Sequence, residues 1–213
     1  MANAELADPC NRSPQAPAET RGRLLAWLGQ GARDVVWALC SVPRARWPVA
    51  PPELLAATLG RWPAARHVRH LALYETYLGL PSVRVVLGDL PLDRLPPPGE
   101  LERHAAAWDP EAAADAVPGL VRGLAEARFR MLQLLESAPE EAWERPVPPS
   151  LAPRHRPTAC PAGLAWLVAR SYQRELEHLN ALWRLALYWD HGAPVPGPTP
   201  GRPLHPAHHM ESY

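Results

Sequence analysis

Seven side chains in two stretches of the sequence have types and spacings that could do chemistry. Ser171, Arg174, Glu175 and His178 follow one another in one stretch, and His67, His70 and Glu75 in another. Imidazole nitrogens and carboxylate oxygens bind divalent cations, a carboxylate pairs with a guanidinium, and either acid or imidazole can carry a proton. On a helical wheel of about 100° per residue, Leu164, Leu167, Val168, Leu182, Leu185, Ala186 and Trp189 share one side, expected to face the core. Ser171, Glu175 and His178 interrupt that side, with Arg174 at its margin. By the same geometry His67 and Glu75 fall beside Val68, Leu71 and Leu78, while His70 lies on the flank with Leu73, Tyr74 and Tyr77. Burying such groups without partners costs on the order of a few kcal/mol each. The polar belt therefore has to be satisfied internally, open to a water-filled pocket, or bound to an ion.

Two helices must bring these stretches together, and the prolines show where helices can form. Proline lacks the N–H donor and its ring strikes the preceding turn. In this proline-rich chain the windows 18–42, 64–80, 119–138 and 162–193 contain none. Pro63, Pro118 and Pro161 stand where a first-turn proline is tolerated, Gly79 and Gly192 where a left-handed residue would end a helix, and Pro81, Pro139 and Pro194 where continuation would stop. Apolar residues recur at helical spacing, as Leu24, Leu28, Val35 and Leu39, as Val68, Leu71 and Leu78, and as Leu120, Leu124, Met131 and Leu135. The pattern predicts an all-α fold, a four-helix bundle over residues 21–193. A long crossover at 82–118 would carry a short extra helix in LERHAAAW, between a flexible segment at 1–20 and a Pro/His-rich flexible tail at 194–213.

Composition removes several function classes. All 22 basic residues are arginine, so Schiff-base lysine chemistry and a phosphate loop built on Gly-Lys are excluded. The formal charge is zero, which predicts no nucleic-acid partner and no anionic membrane surface, because neither gains from a balanced chain. Cys10, Cys40 and Cys160 are odd in number and far apart, unlike a disulfide framework. With no signal-peptide pattern and no apolar run of about 18 residues, the expected location is cytoplasmic.

The segment RWPAARHVRHLALYE, with Trp62 eight residues before His70 and with Leu71 and Glu75 after it, resembles the second-helix signature of the DinB/YfiT-like superfamily of four-helix-bundle proteins. RELEHLNAL at 174–182 is similar to its fourth-helix signature, and LLESAPEEAWERP to the close of its third helix; the resemblance covers roughly residues 20–190. It implies up-up-down-down connectivity and often a homodimer. It also implies a divalent metal held by three histidines, used in some members for thiol-dependent transfer, isomerisation or hydrolysis. On that pattern His70 matches the first ligand and His178 the third, while Arg174 sits where the second should be.

Guanidinium offers no lone pair and stays charged, so Arg174 cannot ligate a cation. Two readings stay open. In one, Glu175 and His178, a Glu-x-x-His pair at i, i+3, join His70 in a mixed site for zinc, nickel, iron or manganese, with His67, Glu75, Ser171 and Arg174 lining the pocket, and the chemistry is metal-assisted transfer or hydrolysis. In the other, Arg174 replaces the ion, and the chain is a metal-free small-molecule-binding or pseudoenzyme member. A dimerisation module is a third, structural possibility. One helix cannot orient Ser171, Glu175 and His178 as a hydrolase triad. Cys160 and the tail histidines His205, His208 and His209 are assigned no chemistry.

Overall fold

A computed structural model describes residues 17–97, 99–107, 110–151 and 163–191. The expectations for the first residues, the tail, Cys10, Cys160, Pro161, Gly192 and the tail histidines lie outside them. The fold is all-α. Its principal helices are α1 (Pro17–Ser41), α2 (Ala64–Tyr74), α3 (Leu80–Leu87), α4 (Glu100–Ala106), α5 (Pro110–Ser137) and α6 (Leu164–His191). Short helical turns lie between them, and among the described residues the one extended pairing is an isolated bridge between Pro146 and Gly163.

Two apolar clusters fix how the rods run. One gathers Val35 and Leu39 of α1, Val68 and Leu71 of α2, Leu124 of α5, and Leu182 and Leu185 of α6. The other gathers Leu24 and Leu28 of α1, Val83 and Val86 of α3, Met131 and Leu135 of α5, and Leu164 and Val168 of α6. Helices α1 and α6 therefore run in one direction, and α2–α3 and α5 in the opposite one. This corrects the up-up-down-down order: the chain goes up, down, down, up. Because α3 ends at one level and α5 begins at the other, the connection between them has to travel the length of the molecule. The short helix α4 lies in it, where LERHAAAW was expected to be helical, and packs on α2.

Two expected helix boundaries are not observed. The chain does not stop at Gly79 and Pro81; it passes through a five-residue π-turn, Glu75–Gly79, straight into α3, which ends at Gly88 in the left-handed region (φ 88°). Pro81 sits in the first turn of α3, directly after the π-turn, where its fixed φ fits the helix. Gly79 is helical, and its lack of a side chain leaves room for its neighbours: a Cβ there would lie 3.1 Å from Glu75 Oε2 and 3.3 Å from Met131 Cε. Helix α5 likewise begins at Pro110 and carries Pro118 inside it. The alanine-rich run before Pro118 favours helix strongly, and the proline is exposed.

Candidate functional site

Between the two apolar clusters lies a polar layer, and Arg128 stands at its centre. Its side chain is 2% exposed although it follows Leu124 by one turn on the apolar face of α5. Nη1 donates to the Leu28 carbonyl of α1 at 2.7 Å and to Glu175 Oε2 of α6 at 2.9 Å, and Nη2 donates to Glu75 Oε1 at 2.6 Å. One guanidinium thus ties α5 to α1, to α6 and to the π-turn after α2. Burial alone would lower the Arg128 pKa, but the Glu75 and Glu175 carboxylates outweigh it and push it up. Arg128 is not among the residues singled out from the sequence. A lone arginine within the stripe Leu124, Met131, Leu135 was the signal available.

Glu175, expected as a metal ligand, and Glu75, expected in the same pocket, are therefore both spent on Arg128, each through one oxygen. Ser171 is buried one turn before Glu175. The glycine at position 31 makes the arrangement possible: a Cβ there would lie 2.5–2.8 Å from the Glu175 carboxylate.

The histidines form a second group, on the side of α2 and α6 toward Trp62. The Trp62 ring centroid lies 5.4 Å from those of His67 and His70 and 5.9 Å from that of His178. The His70 and His178 centroids are 4.9 Å apart. His67 Nδ1 and His178 Nδ1 share a hydrogen bond of 2.9 Å. His67 Nε2 is buried without a partner. A buried lone pair costs less than a buried unpaired N–H, so His67 donates through Nδ1 and His178 accepts. Both rings are neutral: burial, with His70 and Arg66 nearby, lowers the His67 pKa to about 4, and burial, with His67, His70 and Arg174 nearby, lowers that of His178 to about 3.

Arg174 completes the group. Its Nη1 lies 3.0 Å from His70 Nε2, and its guanidinium stacks over Tyr74 at 4.7 Å from the ring centroid. Arginine only donates, so His70 accepts through the Nε2 lone pair, and the neutral ring keeps its proton on Nδ1. Among the described residues no carboxylate lies within ion-pair distance of Arg174, His67 or His178. The outer side of Arg174 opens on a recess of about 120 Å³ lined by Arg170, Gln173, Arg174 and Glu177.

No protein-family model, no curated protein and no solved structure matches this chain.

The contact between Arg174 and His70 opposes a divalent metal in this group. Two imidazoles on one tetrahedral zinc, at about 2.0–2.1 Å each, hold their nitrogens about 3.3 Å apart, against 2.9 Å between His67 Nδ1 and His178 Nδ1. His70 Nε2 is already taken by a permanent cation, whose charge opposes a second one at the same ring. Glu175, the carboxylate expected in a mixed site, is bound to Arg128, as is Glu75. The sequence-predicted residues are thus divided in two: His67, His70, Arg174 and His178 form one group, and Glu75 and Glu175 another around Arg128.

Proposed function

We propose that this chain is a DinB-like four-helix bundle that binds a small anion, without a metal, at Arg174 between its second and fourth long helices. The observation that carries this reading is the bond from Arg174 to His70 Nε2. It places a fixed positive charge against a neutral imidazole, with no carboxylate among the described residues in ion-pair contact, beside a small recess that Arg170 and Glu177 also line. A carboxylate or phosphate oxygen pair matches the fork of a guanidinium, and Tyr74 below it and His70 beside it restrict the side chain to one orientation. The neutral imidazoles of His67 and His178 add no competing charge.

The test is calorimetric titration of the full chain with sodium acetate and, separately, inorganic phosphate. Saturable binding of one ion per chain that is lost in Arg174→Gln supports the reading, and equal weak heats in both proteins overturn it.

A homodimer, also implied by the resemblance, has its support on α1 and α6. Trp27 stacks on Tyr172 and Trp37 meets Trp183 edge to face along the seam of these helices, and Trp27, Trp37, Leu176 and Leu187 remain exposed there. A second copy laid on this seam would cover them. Solution mass by light scattering tests it: a dimer in wild type that falls to monomer in Trp37→Glu is expected, and a monomeric wild type rejects it.

A further inference from the structure

The charges of the buried layer do not balance. Arg128 supplies one positive charge to two carboxylates, and each carboxylate has one oxygen on the guanidinium and one, Glu75 Oε2 or Glu175 Oε1, buried with no partner. Both glutamates are 1% exposed. With both ionised, the layer would hold a net negative charge between two apolar clusters, where solvation cannot relieve it.

We infer that the Glu75–Arg128–Glu175 centre retains one carboxyl proton in mildly acidic solution, carried on Glu175, and that releasing it as the pH rises through neutrality loosens the packing of α6 and the π-turn around Arg128. The two glutamates are not equivalent. The Glu175 carboxylate is pressed against the backbone of α1 at Gly31, and Asp34 on the same helix adds a third negative charge nearby. Among the described residues the charged groups acting on Glu175 are Arg128 from α5, Glu75 from the π-turn and Asp34 from α1. Tyr172, one turn before Glu175 on α6, is itself pushed up by burial and then by the Glu175 and Asp34 charges.

These influences agree in direction with the charge count. Burial raises the Glu175 pKa, Arg128 opposes, and Glu75 and Asp34 add to the rise, leaving it at about 7. In the unfolded chain the carboxyl ionises near its ordinary 4.5, so between that pH and about 7 the folded protein binds the extra proton. Stability contributed by the proton is full at the acid end and lost as the pH rises. A glutamine at 175 has the shape of the protonated acid and nothing to release. The inference is independent of the anion reading, since it concerns the other half of the polar residues.

The experiment compares urea unfolding of the full-length wild type and Glu175→Gln from pH 5 to pH 8. The ratio of their folding equilibrium constants should move by about 70-fold in favour of the glutamine variant between pH 5 and pH 8, the value set by a shift from 4.5 to about 7. A ratio that stays constant overturns the inference. If Glu175→Gln does not fold, infrared difference spectra of the wild type decide: the carboxylic-acid C=O band of a buried protonated glutamate should be present at pH 6 and fade by pH 8. Its absence at pH 6 overturns the inference equally.

Discussion

Arg174 Nη1 lies 3.0 Å from His70 Nε2, so a permanently charged side chain holds the lone pair through which that imidazole would bind a metal ion. Everything else in the histidine group is arranged around this contact. His178 lies one turn beyond Arg174 on α6 and takes its hydrogen bond from His67, one turn before His70 on α2.

Replacing the guanidinium by a group with a lone pair should reverse the chemistry. Arg174→His removes the competing charge, frees His70 Nε2 and adds a fourth imidazole. The variant should bind about one zinc or nickel ion per chain when purified without a histidine tag, and the metal should raise its melting temperature. Elemental analysis with thermal unfolding reads both quantities. A variant that folds and takes up no metal would count against the role given to Arg174.

Arg128→Leu should destabilise the protein by about 3–5 kcal/mol, because it leaves two buried carboxylates without their cation. The loss should be partly recovered in the triple variant with Glu75→Gln and Glu175→Gln, which has no charge left to compensate. Chemical denaturation measures the cycle. Simple loss of packing predicts no recovery.

Gly31→Ala should cost about 1–3 kcal/mol, the range of an overpacked interior, because the new methyl would meet a carboxylate that Arg128 prevents from moving aside. Gly22→Ala, on the same helix, meets nothing within 4 Å and should not destabilise. Equal melting temperatures for the two variants would show that Glu175 is not held where the structure places it.

Acid acts on the histidine group with the opposite sign to its action on Glu175. The folded-state values of His67 and His178, about 4 and about 3, lie below the ordinary 6.5, so between those limits the unfolded chain binds more protons. The stability contributed by these neutral rings is therefore present above about 6.5 and lost as the pH falls. Over pH 6.5 to 4 it should outweigh the single proton of Glu175, and the urea midpoint should drop steeply with acid. The double variant His67→Gln/His178→Gln should flatten this dependence, and an unchanged slope would contradict it.

How much of this was readable in the sequence depended on where the controlling interaction lay. Proline acts on its own neighbours, so its gaps located α1 and α6 to within a few residues. The same rule failed at Gly79–Pro81, where a π-turn absorbs the proline, and at Pro118, which α5 accommodates on its exposed side. The helical wheel placed His67 inward and His70 on the flank, and the structure buries His67 and leaves His70 half-buried beside the same tryptophan. Hidden from the sequence was the choice of partners. Glu75 and Glu175 lie 53 and 47 residues from Arg128, and no spacing rule along one helix links such positions. The wheel showed that the polar belt needed partners, water or an ion, but not that one arginine from α5 would serve both glutamates.

Long-range nitrogen–proton NMR of the imidazoles, recorded on metal-free wild type before and after one equivalent of zinc, tests the central claim most directly. The account predicts neutral rings at pH 7, the His70 proton on Nδ1, and no shift at His67, His70 or His178 on adding the ion. Stoichiometric zinc binding that shifts all three rings and displaces Arg174 from His70 would contradict it.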